Sequence, residues 1–238
     1  MRRVAGESFA TEEVPVPEVP RHGVLVRVHR ALVGTPSGCM GVVVATGEDA
    51  LLPAPGTRVA GAPRDGTLAE YVALPAARCV PLATEVGRDA ACLVAPGAVA
   101  LDALRRAGAG LGEVVLVSGL DLEGLLAVAL ARAAGSRVVA VDADPERRKV
   151  AVALGAEVAC EHGKARANGD AIGGADAVLF ARGAVPPVGE RGVIRGDLGT
   201  DDDEAVTAPL AHVRWTARRN LAHVARLLPL PAPWHEAL

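Results

Sequence analysis

The sequence predicts an α/β chain in two parts: a small antiparallel β-barrel domain over residues 1–95 and a parallel-sheet domain over residues 96–228. Three observations predict it. From Glu113 to Asp142 the chain reads strand, tight turn, helix, strand, acid, which is the opening βαβ unit of a doubly wound sheet. From residue 23 to residue 82 it reads as short alternating runs between Gly/Pro turns, the pattern of a small barrel. Half of the 238 residues are hydrophobic but only 2% are aromatic, so the core must be built from Ala, Val and Leu.

Residues 1–20 begin as an edge strand and pass into a loop, because prolines at 15, 17 and 20 exclude a central strand. Gly23 to Leu32 alternates, with Val24, Val26 and Val28 on one face and Leu25, Arg27 and His29 on the other: a half-buried strand. Gly34 to Gly38 reads as a turn, Gly41 to Gly47 as a second strand, and PAPGTRVAG as a turn and a third. GTLAEYVALPAARCVPLA gives two more strands broken at Pro75. Over 88–107 the period changes to helical, with an interruption expected at Pro96-Gly97 and an inter-domain linker nearby.

Glu113 to Ser118 is a valine-rich run that ends at Gly119. Leu122, Leu125, Leu126, Ala129, Leu130 and Ala133 then fall on one helical face, and Gly135 closes the helix. Arg137 to Val141 is the second strand, ending in Asp142. Asp144-Pro145-Glu146 opens another helix, with proline at its first position, and Gly155 ends it. Short strands follow at 157–160, 176–180 and 192–195, with loops at 161–175, 183–190 and the acidic 197–204. His212 to Thr216 reads as a strand and Arg219 to Leu228 as an amphipathic helix. The tail 229–238 is proline-broken and is able to return to the barrel domain.

A dinucleotide-binding turn should read G-x-G-x-x-G; here it reads Gly119-Leu120-Asp121-Leu122-Glu123-Gly124. The middle glycine normally lets backbone approach a pyrophosphate at the helix start. Asp121 instead stands where an N-cap belongs, and its carboxylate offers the helix an anion of its own. A phosphate about 4 Å away would meet a repulsion of roughly 4 kcal/mol at an effective dielectric near 20. That corresponds to about three decades of affinity, and Glu123 adds to it.

Composition excludes several classes of function. Net charge is −3, without a basic patch interleaved with aromatics, so nucleic acid is not an expected partner. The four cysteines, Cys39, Cys79, Cys92 and Cys160, are far apart and form no C-x-x-C, which supports neither a zinc knuckle nor a disulfide framework. The arginines at the N-terminus precede no apolar run, and no stretch is long and apolar enough to span a membrane, so a cytoplasmic location is expected.

The order of motifs resembles the medium-chain dehydrogenase/reductase family, which includes alcohol dehydrogenases and quinone reductases. The carriers are VLVRV (24–28), GVVVATGED (41–49), PGTRVAG (55–61), GTLAEYVALPA (66–76), segment 114–135, VVAVDADPERRKVAVALGA (138–156) and TARRNLAHVARLL (216–228). The resemblance implies a GroES-like β-barrel domain and a Rossmann-type domain with the active site in the cleft between, both reduced here. Zinc-dependent members carry Gly-His-Glu where this chain has Gly38-Cys39-Met40, and the structural zinc lobe is absent, so no metal ligands are assigned. The resemblance also implies a homodimer joined through the Rossmann sheet edge.

The cofactor candidates are Gly119, Gly124 and Asp142; Asp142 resembles the ribose-binding acid that favours NAD over NADP, and otherwise reads as a remnant or as the cap of the helix at Pro145. The catalytic candidates are Asp121 and Glu123 as a carboxylate pair, Cys39 at the lost zinc-ligand position and so expected to face the cleft, and Tyr71. Their plainer readings are a helix cap, a solvated neighbour, a small buried thiol and a core aromatic. His162, His212 and His223 read as surface or packing residues. With Asp121 in the turn no cofactor is expected; NAD or NADP is expected if the fingerprint still functions. The favoured reading is therefore a non-redox enzyme (lyase, isomerase or cyclase) acting on a small metabolite. The alternatives are a zinc-independent NAD(P)H oxidoreductase of the alcohol dehydrogenase, enoyl or quinone reductase type, and a non-catalytic dimerising scaffold subunit.

Overall fold

The structure is a computed structural model that describes residues 2–5, 10–33, 38–50, 52–63, 68–164, 174–180, 193–195 and 216–228. The loops read at 183–190 and 197–204, the run 212–215 and the tail 229–238 lie outside the described residues. Among the described residues no helix is long and apolar enough to cross a membrane.

The barrel-type unit starts with a hairpin of β1 (Arg2–Ala5) and β2 (Ala10–Glu13). A five-stranded antiparallel sheet follows, made of β3 (Gly23–Ala31), β4 (Cys39–Thr46), β5 (Arg58–Gly61), β6 (Tyr71–Pro75) and β7 (Cys79–Pro81), in the order β6-β3-β4-β5-β7. A 3-10 turn at Ala76–Arg78 separates β6 from β7, as Pro75 suggested. The inward face carries Val24, Val26, Val43, Val59 and Leu74, all nearly fully buried, as the alternation required.

Two helices come next, α1 (Arg88–Cys92) and α2 (Val94–Arg106). The break falls at Leu93 and not at Pro96-Gly97. Pro96 is the third residue of α2, in the first turn, where a missing N–H leaves no intrahelical bond unmade.

The second sheet is wholly parallel. Its strands are β8 (Val114–Ser118), β9 (Arg137–Val141), β10 (Val158–Cys160), β11 (Ala177–Phe180) and β12 (Val193–Arg195), in the order β10-β9-β8-β11-β12. Both faces of its centre are covered: all five residues of β8 are buried, and Val138, Val139, Ala140 and Val141 are fully inaccessible. Helices α3 (Leu122–Ala133) and α4 (Pro145–Ala153) are the crossovers. The expectation of one parallel-sheet unit and one antiparallel unit is met.

The last helix, α5 (Ala217–Leu227), is capped by Thr216, whose hydroxyl accepts the Arg219 N–H at 3.2 Å. The described residues divide into two units, one running to Ala98 and including α5, the other running from Val99 to Arg195. The sequence places α5 inside the 96–228 domain; in the structure it packs on β7 and the turn before it. The two ends of a domain need not be contiguous in sequence, and an amphipathic pattern does not say which sheet a helix covers.

Candidate functional site

In an open parallel sheet, ligands bind outside the carboxyl ends of the strands, where the strand order reverses. Here the reversal is at β8, which has β9 on one side and β11 on the other. β8 ends at Ser118 and the chain turns at Gly119 with φ of 86°, a left-handed conformation that suits glycine. Gly124, in the first turn of α3, packs so tightly on this turn that a Cβ there would collide with the Gly119 carbonyl oxygen. Both outer fingerprint glycines are therefore required by backbone geometry.

Asp121 is the N-cap of α3. Its carboxylate accepts the Gly124 N–H at 3.0 Å, as its place before the helix predicts. Glu123 lies half-buried in the same first turn. The Leu122 N–H has no protein acceptor among the described residues, so one donor at the helix start is still open to an anion. The cap thus takes one of the helix-start N–H groups and puts a negative charge beside the rest.

Asp142 does not cap the next helix. That role belongs to Asp144, whose carboxylate accepts the Glu146 N–H at 2.8 Å. Asp142 turns back instead, accepting the Leu120 N–H at 2.6 Å and the Asp144 N–H at 2.8 Å. Burial alone would raise its pKa. The bonds from Asp144 and Leu120, with smaller contributions from Arg147 and His162, outweigh burial and hold it below the ordinary carboxylate value. Asp142 is therefore an anion at neutral pH. The Arg147 guanidinium is 3.9 Å from it and 3.6 Å from Asp144.

Local patterns do not reveal one contact. His162, read from sequence as a surface or packing residue, follows β10 and places Nε2 3.4 Å from the Ser118 hydroxyl at the end of β8. Ser118 is completely buried. Strand order supplies the missing signal, because residues just past the carboxyl ends of neighbouring parallel strands converge. Ser118, Asp142 and His162 do so here, together with the turn 119–124.

Cys39 and Tyr71 belong to the other unit. Cys39 is 1% exposed and packs among Val24, Val26, Val43 and Leu74, so the expectation that it faces an open cleft is corrected: β4 turns this position into the barrel core. Burial, and then the neighbouring thiols of Cys79 and Cys92, push its pKa to about 12 against the lowering effect of a bond to the Gly61 backbone. Burial thus disfavours its thiolate form at neutral pH. Tyr71 is half-buried at the start of β6, paired with Arg27 of β3. Among the described residues no group of three or more His, Cys, Asp or Glu side chains is arranged to hold a metal ion.

No known family model matches the chain. Its sequence is 42% identical over 91 residues to L-galactonate-5-dehydrogenase of Escherichia coli K12, covering 38% of this chain and 26% of that protein. It is 38% identical over 136 residues to the probable D-xylulose reductase A of Aspergillus terreus, covering 53% of this chain and 38% of that protein. The chain thus spans well under half the length of these curated relatives. Among solved structures, an alcohol dehydrogenase from Thermus sp. ATN1 superposes with a TM-score of 0.75 at 21% identity, over 99% of this chain and 91% of that one. The quinone oxidoreductase of Thermus thermophilus, whose structures include a complex with NADPH, superposes with a TM-score of 0.67 at 25% identity, over 92% of this chain and 88% of that one. These names are of dehydrogenases and reductases, so the favoured non-redox reading finds no support in them, and the Asp121 carboxylate on which it rested is engaged as a helix cap. The sequence and structure neighbours are medium-chain alcohol and polyol dehydrogenases and reductases, which the chain resembles in fold while its glycine fingerprint is altered.

Proposed function

We propose that the chain is a zinc-independent oxidoreductase that uses a nicotinamide nucleotide on a small metabolite, with its coenzyme affinity lowered by Asp121. The observation that carries this reading is the turn 119–124. Its Gly119 and Gly124 keep the backbone geometry of a dinucleotide turn, Asp142 stands ionised at the end of β9, and the Leu122 N–H is open. These residues fit the group. Gly119, Leu122 and Gly124 would lie along its pyrophosphate, and Asp142 would take a ribose hydroxyl. When bound, the nucleotide supplies hydride transfer. The protein's part is to bind and orient it and, through the negative Asp142, to favour NAD over a coenzyme bearing a 2′-phosphate.

The substrate class proposed is a hydroxyl/carbonyl pair on a polyol, sugar or sugar acid, by kinship with the xylulose reductase and the galactonate dehydrogenase. We extend the proposal to a homodimer formed through an edge of the parallel sheet, which light scattering of the purified protein tests directly. The functional test is a titration with NADH and NADPH, followed by a screen of sugar alcohols for coenzyme reduction. Saturable binding stronger for NADH, with turnover of at least one polyol, supports the reading. Absence of binding in both the wild type and an Asp121→Gly variant removes it.

A further inference from the structure

The barrel-type unit carries a charged cluster that the coenzyme site does not involve. Arg27 of β3 is in register with Val42 of β4, and Val42 with Arg58 of β5, so both arginines stand on one face of the sheet; Tyr71 of β6 flanks Arg27 on its other side. That face is the outer one, since Arg27, His29 and Arg30 are exposed while Val24 and Val26 are buried. Arg58 is held in place, donating to the carbonyls of Thr84 at 3.1 Å and Val86 at 2.9 Å. The chain then runs through Gly87 to Arg88 and Asp89, and Asp89 pairs with Arg30 at 3.1 Å. These two anchors bring Arg88 to the end of β3. Neither Arg27 nor Arg88 has a carboxylate partner among the described residues.

Among the described residues, Asp89 pairs with Arg30 and Glu85 lies near Arg58. Four guanidiniums against two carboxylates leave a formal +2 on a chain whose net charge is −3. At the centre is His29. Partial desolvation, and then the charges of Arg88, Arg27, Arg30 and Arg58, hold its pKa below the ordinary 6.5, so the ring is neutral at pH 7 with one nitrogen to donate and one to accept.

We propose that this corner, with Arg27, His29 and Arg88 in front and Arg30 and Arg58 fixed behind, binds a phosphate dianion, either free or as a monoester on a small metabolite. The charge of the ligand matches the excess of the site, and planar guanidiniums bind phosphate oxygens two at a time. Arg58 is already tethered to two backbone carbonyls and Arg30 has a partner in Asp89, which lowers the entropy of ordering them. A bound dianion offsets the arginine charges that add to desolvation in lowering the His29 pKa, so binding draws a proton onto the ring. Because the corner is exposed, affinity falls as salt rises.

The test uses the whole chain at low ionic strength, titrated with inorganic phosphate and separately with glycerol 3-phosphate, with the His29 ring followed by NMR. The result expected is saturable binding with an upward move of the His29 titration. An Arg27→Ala/Arg88→Ala double variant is expected to lose at least about tenfold in affinity. Arg21→Ala, whose guanidinium pairs with Asp49 at the opposite end of β3, is expected to bind as the wild type does. Tighter binding of the ester identifies a metabolite as the source, equal or weaker binding identifies free phosphate, and both outcomes support the site. A non-saturable response, or a His29 titration that phosphate does not move, overturns the proposal on the wild type alone. A folded double variant with unchanged affinity also overturns it.

Discussion

The Asp142 carboxylate accepts the Leu120 N–H at 2.6 Å, which ties the acid that closes β9 to the turn that closes β8. The same side chain accepts the Asp144 N–H, so one residue sets both the turn after β8 and the approach to α4. It does this while nearly buried, at 8% exposure. Its charge and its hydrogen bonds cannot be separated from the shape of the site.

Asp142→Ala leaves two backbone N–H groups without their acceptor. The expected cost is about 2–4 kcal/mol, from the range for hydrogen bonds to charged groups and for buried donors left unpaired. Urea unfolding at neutral pH measures it. A loss within a few tenths of a kcal/mol would mean that water replaces the carboxylate.

The Asp142 pKa is lower in the folded protein than its ordinary 3.8, so the unfolded chain binds its proton first. Its contribution to stability is complete above about pH 4 and is lost as pH falls through the folded-state pKa. The unfolding midpoint of the wild type is therefore expected to drop in acid more steeply than that of Asp142→Asn. Parallel curves for the two proteins would contradict the assignment.

At Asp121, stability and binding respond in opposite directions. Removing the cap by Asp121→Ala is expected to cost about 1 kcal/mol of stability, while removing the charge strengthens coenzyme binding. Thermal unfolding and coenzyme titration of one variant give both signs. Loss of both would show that the cap is needed to shape the turn.

Gly124→Ala places a methyl against the Gly119 carbonyl oxygen, a backbone atom that cannot swing away. Overpacking at such a point costs typically about 1–3 kcal/mol and occasionally more. Chemical denaturation is expected to show this loss, together with loss of coenzyme binding. A stable Gly124→Ala protein would indicate that α3 is free to shift.

Three of the four cysteines are buried thiols with raised pKa, about 12 for Cys39, about 12 for Cys79 and about 11 for Cys92, burial being the first cause in each. Native protein at pH 7 is expected to react with a thiol reagent far more slowly than unfolded protein, in which all four cysteines become available. Fast labelling of Cys39 in the native state would restore it as a candidate nucleophile.

The period of apolar residues made the parallel unit legible: the helical face from Leu122, the closing Gly135 and the two-faced burial of β8 all follow from residue type and spacing. The cap at Asp121 was legible because capping is local. Pro96 was misread because proline breaks a helix only after its first turn. One of the readings of Asp142 looks forward to the helix at Pro145, although the side chain also bonds backward to Leu120, twenty-two residues away, across a strand pairing that no local pattern encodes. His162 with Ser118, and Arg27 with Arg58, were missed for the same reason: only register brings them together. Cys39 stands at a ligand position by analogy, and of its two readings the buried thiol is the one that the barrel core matches.

The proposed function requires the turn 119–124 to bind a dinucleotide with an affinity that the Asp121 carboxylate lowers. The measurement that tests it most directly is the NADH dissociation constant of the wild type against Asp121→Gly, taken by fluorescence titration under the same conditions. Weak saturable binding by the wild type is expected, with tightening by roughly one to three decades in the variant, the upper bound being the Coulomb repulsion at about 4 Å. Equal affinities in the two proteins, whether tight or absent, would contradict it.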